Sequence, residues 1–387
     1  MFALAYPWTV YPGLLYLVRR LRPRSWKSGP YEPSVSILMT AHNAECELET
    51  KIRNCMELNY PKEKLQIVVV SDGSTDGTNS RLAQRGANIT FKCLAERVGK
   101  NNALNEGIPL CTSELVFFTD VGALFAPESL KRLSAHFLDP EIGCVSSVIT
   151  THPAEGSKSQ DWKSADGESL NFDLKLRRWE SEVSSTVNVV GAGFMVRKAL
   201  VRNFRSHHNN DFSCALHVLQ SGHRTVLDPS VKAQMFLSKS ARGELKRKIR
   251  TAVRGMWTLA QNGSWNILSD PFLFWQILSR KVAKWIFGYL YLGTVFLGFL
   301  NLNSKTGIEP IASGLLLAVL VVGAGATVIP QLTRFKFFRV SSFLWLGVEA
   351  SLISVAFFLF GKKYSVWAPT IRIEDAELEA IENKRRA

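Results

Sequence analysis

The sequence predicts an α/β domain on a parallel sheet, bracketed by membrane helices, and three observations carry that prediction. The segments LQIVVVSD and ELVFFTD are apolar runs that end in lone carboxylates, Asp72 and Asp120. Such runs read as buried strands of a parallel sheet, and ligands of open α/β sheets collect at the carboxyl ends of strands. Strand-like and helix-like segments alternate along the first half of the chain. Finally, 46% of the 387 residues are hydrophobic, and they are concentrated after Pro271, while residues 19–270 have the mixed composition of a soluble domain.

In chain order, the first hydrophobic stretch is Phe2 to Val18, an N-terminal membrane segment at 1–18. Its length just reaches across a bilayer, but Pro7 and Pro12 interrupt a helix, so a span and an interfacial anchor both stay open. Arg19, Arg20, Arg22 and Arg24 follow the apolar core, the reverse of a cleaved signal peptide, and favour a cytosolic domain next. That domain occupies 31–262. It begins with strand VSILMTA, a helix from about Glu45 to Leu58, strand QIVVVS, a helix from Asp76 to Gln84 and strand NITFKCL. A helix from Lys100 to Gly107 and strand LVFFT follow. Pro127 then opens PESLKRLSAHFL at the first helical turn, where its missing N–H is harmless. The polar segment 151–169 reads as a mobile surface loop, and residues 170–262 add strand VNVVGAGFMV and helix DFSCALHVLQSG.

Residues 271–284 interleave aromatics with Arg280, Lys281 and Lys284, the pattern of an amphipathic helix in the headgroup layer. Spans are expected within 285–360, at 285–302, 311–329 and 340–360, the last with Glu349 at its middle. Arg334 and Lys336 mark a cytosolic loop. Three crossings leave the polar tail, 361–387, outside, yet its Lys and Arg residues favour the inside, so parity and charge disagree.

The formal charge of +14 is accompanied by no nucleic-acid motif, so membrane lipids and substrate phosphates are the expected partners, and nucleic acid is not. The six cysteines form no C-x-x-C pair and no zinc-type spacing, and read as reduced core thiols.

Seven segments stand in a particular order: TAHNAE at 40–45, VVVSDGSTDGT at 68–78, ERVGKNNALNEGI at 96–108, FFTDVGALFAPESL at 117–130, GAGFMVRKAL at 191–200, NDFSCALHVLQSGHRTVLDP at 210–229 and ELKRKIR at 244–250. Together they resemble glycosyltransferase family 2, in particular the membrane-integrated branch of the cellulose, chitin and hyaluronan synthases. The resemblance runs from about Val35 to Arg254. It implies a GT-A α/β fold, a UDP-sugar donor, a Mg2+ or Mn2+ ion and transfer with inversion. It also implies a glycan or lipid-linked acceptor, possible synthase-complex subunits as partners, and a catalytic domain on the cytosolic face of a plasma or inner membrane.

The resemblance assigns residues as well. It places Asp72 at the uridine end of the donor, with Thr40, His42 and Glu45 lining the same pocket; alone, Asp72 in SDGSTDG also reads as a turn cap. Lys100 approaches the donor, where a cation at a helix N-terminus suits phosphate; alone, it is an ordinary exposed lysine. Asp120 takes the first position of a D-x-D motif whose metal bridges the diphosphate, magnesium needing only one or two protein carboxylates. Gly122 occupies the third position, so one carboxylate remains. Asp211 matches the general base before the acceptor-side helix, with Asn210 in place of the usual acidic neighbour; alone, it reads as a helix N-cap. The Q-x-x-R-W motif of processive members is matched by RKIRT, where Arg247 and Arg250 keep the basic character that suits a diphosphate. Thr251 replaces the stacking tryptophan, and Trp257 lies about two helical turns on. Alone, the cluster is a basic helix lying on the membrane.

The function expected is elongation of an exopolysaccharide or cell-surface glycan. Two alternatives stay open: single-sugar transfer to a polyprenyl-phosphate or glycolipid, and a non-catalytic assembly partner, suggested by Gly122, Asn210 and Thr251.

Overall fold

The computed structural model describes residues 2–85, 89–152, 163–236, 241–262, 270–300 and 308–365. Seven strands, β1 Val35–Ala41, β2 Leu65–Ser71, β3 Thr90–Cys93, β4 Leu115–Thr119, β5 Ile142–His152, β6 Gly193–Arg197 and β7 Arg224–Phe236, form one sheet in the order β3-β2-β1-β4-β6-β5-β7. The half containing β3, β2, β1 and β4 is parallel. Its central strands are mainly apolar because both faces are covered, and Ile37, Leu38, Val68, Val69, Phe117 and Phe118 are buried among two core clusters.

The other half corrects the expectation of a parallel sheet. Strand β6 runs antiparallel to both β4 and β5, while β5 and β7 are parallel to each other. Of the expected strand VNVVGAGFMV only its last four residues pair, in a strand that runs on to Arg197, and the register sets Thr119 opposite Gly193, so β6 starts where β4 ends. Strands β5 and β7 were not legible as strands. In β7 the ladder shifts register, with Pro229 exposed within it, although Val231, Ala233 and Met235 are buried and Lys232 and Gln234 exposed, a period of two.

The helices up to residue 300 are α1 Phe2–Ala5, α2 Val10–Leu21, α3 Glu45–Met56, α4 Thr78–Gln84, α5 Lys100–Gly107, α6 Ser129–Ala135, α7 Lys163–Val183, α8 Asn210–Gln220, α9 Ala241–Gln261, α10 Pro271–Ile277, α11 Ala283–Trp285 and α12 Phe287–Leu300. Helices α13 Ile308–Val328 and α14 Lys336–Leu359 complete the set. The expected loop at 151–169 is a loop in neither part that is described, since 151–152 extend β5 and 163–169 open α7. Residues 153–162 and most of the polar tail, 366–387, lie outside the described residues.

The N-terminal stretch forms no single spanning helix. It breaks between α1 and α2 around Pro7, and the 12 residues of α2 rise only ~18 Å against a hydrocarbon core of ~30 Å. Helix α2 instead packs on α7, where Tyr11 and Leu15 bury against Leu176 and the Tyr11 hydroxyl donates to Glu180 Oε1 at 2.7 Å. At the other end, Glu309–Val328 and Lys336–Leu359 are long and apolar enough to cross a bilayer. The segments Pro271–Trp285 and Phe287–Leu300 add a third crossing if they are taken as one span, with a bend of 69° between them. Helix α14 also packs along α9 through Ile249, Val253 and Ala350, which ties the soluble domain to the apolar helices.

Candidate active site

Strands β1, β2 and β4 end at one edge, and the loops there interlock. Asp72 follows β2 and is only 4% exposed. Its Oδ1 accepts from the Val98 and Gly99 N–H groups at 2.7 and 3.2 Å, and its Oδ2 from Gly99 at 3.0 Å. The carboxylate is therefore a clamp on the loop that starts α5, and it holds Gly99 at φ +90°, a conformation only glycine adopts cheaply, so that Lys100 opens the helix. The capping role within SDGSTDG falls to Asp76, whose Oδ1 accepts from the Thr78 N–H at 3.0 Å. His42 Nδ1 donates to the Asp72 carbonyl at 2.7 Å. Thr40 is half-buried near the end of β1. Glu45 pins the neighbouring turn instead, accepting from the Gly77 N–H at 3.0 Å and pairing with Arg81 at 3.2 Å.

At the end of β4, Lys100 Nζ lies 2.5 Å from Asp120 Oδ1, both side chains being 20% exposed. A second lysine stands behind them. Lys51 is buried, donates to Thr119 Oγ1 at 3.0 Å and to the Ala123 carbonyl, and so holds both sides of the turn that carries Asp120. Burial pushes its pKa down, against the pull of Cys55 and Asp120. Sequence reasoning missed Lys51, although a lone lysine on the face formed by Leu48, Ile52 and Cys55 is the available signal.

Asp211 sits in the first turn of α8, and the cap position belongs to Asn209, so Asp211 is not the N-cap. Its Oδ1 accepts from the Phe212 N–H at 2.7 Å, and a Cβ at Gly191 would lie 3.3 Å from its Oδ2. Two links carry this carboxylate to the edge where β1, β2 and β4 end. Thr119 Oγ1 donates to the Ala192 carbonyl at 3.1 Å, which joins the residue before Asp120 to the residue after Gly191. Asn101 Nδ2 donates to the Arg205 and His208 carbonyls at 2.7 and 2.9 Å, which joins α5 to the approach to α8. Lys100, Asp120 and Asp211 are thus brought to one end of the sheet.

Residues 36–205 match the family model described as glycosyl transferase family 2. These residues, less than half of the chain, are similar to glycosyltransferase family 2 domains. The chain is 25% identical over 171 residues to a beta-monoglucosyldiacylglycerol synthase of Nostoc sp., covering 43% of this chain and 36% of that one. It is 23% identical over 272 residues to a poly-beta-1,6-N-acetyl-D-glucosamine synthase of Staphylococcus aureus, covering 67% of this chain and 64% of that one. The matched parts thus span less than two thirds of these relatives' lengths. In fold it is similar to a mannosyltransferase of Pyrobaculum calidifontis solved in complex with GDP-Man and Mn2+, at 22% identity and a TM-score of 0.64 over 93% of this chain and 98% of that one.

The segment that matches the family model stops before Asp211, and the rest of the site is built by α8, α9 and the apolar helices. Arg254 anchors α9: it is buried, its Nε donates to the His208 carbonyl at 2.9 Å, and burial lowers its pKa to about 10. Arg250 is half-buried and Arg247 is exposed on the same helix, where Arg247 lines a cavity with Thr251. Trp257 does not take the place of the missing stacking tryptophan. Its Nε1 donates to the Lys362 carbonyl at 2.9 Å, and its ring meets Phe358 at the end of α14. Trp285 lines the same cavity as Thr251, as does Trp8, and its ring lies 2.9 Å from where a Cβ at Gly255 would be. Nothing in the local pattern of α9 pointed to it.

Proposed function

We propose that this protein is an inverting glycosyltransferase that moves a sugar from a UDP-sugar to a hydroxyl of a growing cell-surface glycan, working at the cytosolic face of a membrane. The observation that carries the reading is the convergence of Lys100, Asp120 and Asp211 through the Thr119–Ala192 bond and the β4–β6 register. In this reading the Asp211 carboxylate takes the acceptor's hydroxyl proton while that oxygen attacks the anomeric carbon. The bond from that carbon to the diphosphate breaks, its electron pair leaves with UDP, and attack from the face opposite the leaving group inverts the centre. Lys100, at the N-terminus of α5, stands where leaving-group charge develops.

The residues present fit a divalent ion held mostly by its substrate. Among the described residues no three His, Cys, Asp or Glu side chains converge, and Asp120 supplies one carboxylate, enough for an ion completed by phosphate oxygens and water. Such an ion would supply charge neutralisation to the departing diphosphate. The names of the relatives, one a glycolipid synthase and one a polysaccharide synthase, support an acceptor at the membrane. The arginines after Leu17 support the cytosolic side.

The test offers purified protein in detergent several UDP-sugars and GDP-mannose, records nucleotide release, and assigns the product anomer by NMR. Release from GDP-mannose alone would overturn the uridine assignment, and a retained anomeric configuration would overturn inversion. Asp120→Ala should raise the magnesium or manganese concentration needed for half-maximal rate severalfold; superimposable metal titrations would remove Asp120 from that role.

A further inference from the structure

A cavity of about 730 Å3 lies where α9, the π-helical turn Leu278–Val282 and α14 meet. Building on the transferase reading above, we infer that this cavity takes the acceptor, and that the acceptor is a glycan carried on a lipid through a phosphate or diphosphate. The anionic linkage sits on the cations and the lipid chain leaves along α14.

Charge is the first argument. Arg247, Lys248, Arg280, Lys281 and Lys284 line the cavity against a single carboxylate, Asp173. That carboxylate is shared, with Arg177 at 2.6 Å, Arg280 at 2.7 Å and Lys284 at 3.5 Å. Glu180 also pairs with Arg280 at 2.8 Å, but the cations that line the cavity outnumber its lining carboxylates, and low-dielectric walls focus their field on an anion that enters.

Part of the lining is apolar. Trp285, Phe343 and Leu344 form it, and Lys248 Nζ lies 4.1 Å from the centre of the Phe343 ring, so cation and hydrocarbon surface are adjacent. Phe343 and Leu344 belong to α14, one of the helices able to cross a bilayer, so the wall continues towards lipid. A neutral polymer would use only the apolar part. A soluble phosphate would use only the basic part. A lipid phosphate uses both.

Reach is the third argument. Asn209 lines the cavity two residues before the base. Lys281 Nζ is 2.7 Å from Asn188 Oδ1 and 4.3 Å from the centre of the Phe212 ring, next to Asp211. The π turn makes this possible, since it sends Arg280 to Asp173 and Glu180 while the adjoining Lys281 faces the base. The sugar end of a molecule anchored here therefore extends towards Asp211.

The experiment uses the full chain in phosphatidylcholine nanodiscs with whichever nucleotide-sugar sustains turnover. The probes are a polyprenyl-diphosphate-linked N-acetylhexosamine and the dodecyl glycoside of the same sugar. The anionic acceptor should show a KM lower by about tenfold or more, which is the worth of one charge-assisted contact. The double variant Lys248→Gln, Lys281→Gln should narrow that ratio, and Lys248→Arg with Lys281→Arg should restore it. Equal KM values for the two acceptors, or a ratio unchanged in the glutamine variant, would overturn the inference. So would competition by phosphatidylglycerol as strong as that by the diphosphate probe, which would assign the cavity to bulk lipid. Retention of the diphosphate probe in native mass spectrometry decides the cavity's ligand independently of turnover. Failure to bind any nucleotide would instead sink the transferase reading.

Discussion

The two ends of the active edge are built differently. On the donor side, the carboxyl ends of three neighbouring parallel strands bring Thr40, Asp72 and Asp120 together, and the loops there are locked by short bonds such as those from Val98 and Gly99 to Asp72. On the acceptor side, α8, α9, the π turn and α14 meet around Asp211 and the cavity, and they come from parts of the chain more than a hundred residues apart. The donor side is a property of one sheet. The side around Asp211 and the cavity exists only once the apolar helices dock against α8 and α9, so in the proposed reading acceptor choice can change there without disturbing the strand ends.

The sharpest way to break this comparison is Asp211→Asn. Turnover should fall by ~10²- to 10⁴-fold, the worth of a positioned base, while UDP binding by calorimetry persists because the donor is held at the other end. Near-normal turnover would place the base elsewhere.

The matching change on the donor side is Asp72→Ala. It orphans the Val98 and Gly99 N–H groups, which should cost about 1–3 kcal/mol of stability and weaken UDP binding as the start of α5 loosens. A variant with wild-type melting temperature and UDP affinity would show that the clamp is dispensable.

Acid should separate the two sides next. Burial lowers the pKa of His208 and of His217 to about 4, with Arg205 and Arg254 adding to the effect at His208, and these histidines lie before and within α8. The unfolded chain takes up protons from pH 6.5 downwards, before the folded one does, so the stability of this region is full above that value and is lost progressively towards pH 4. Hydrogen exchange at pH 7 and pH 5 should show α8 and α9 losing protection while β1, β2 and β4 keep theirs. A uniform response of both sides would contradict the division.

The smallest expected effect is on product length. Thr251 stands where polymer synthases place a stacking indole, and Trp257 is committed to the end of α14, so the isolated protein should release short or single-addition products unless Trp285 serves as the platform. A labelled pulse followed by an unlabelled chase reads this directly. Long polymer at low acceptor turnover would refute it, and loss of that polymer in Trp285→Ala would move the platform to Trp285.

The central strands, their terminal carboxylates and the apolar helices are legible in the chain alone, because continuous apolar runs and lone carboxylates at their ends are local patterns. Asp72 and Asp120 were legible as strand-end carboxylates for that reason, whereas Asp211, in the first turn of a helix, was singled out only by the order of motifs. Tertiary structure decided what local pattern does not encode. Strand β6 is antiparallel because of where the chain re-enters the sheet, and β5 and β7 are strands because they pair with each other. Asp72 and Glu45 spend their carboxylates on loops whose N–H groups lie some thirty residues or fewer away in sequence but are adjacent only after folding. Lys51 is interior because Thr119 at the end of β4 and Ala123 in the turn after it offer a hydroxyl and a carbonyl, and Trp285 reaches the cavity that Thr251 lines because α11 docks against Gly255. In each case the deciding energy is a contact between distant segments: burial and hydrogen bonding reward it only when the whole chain is in place.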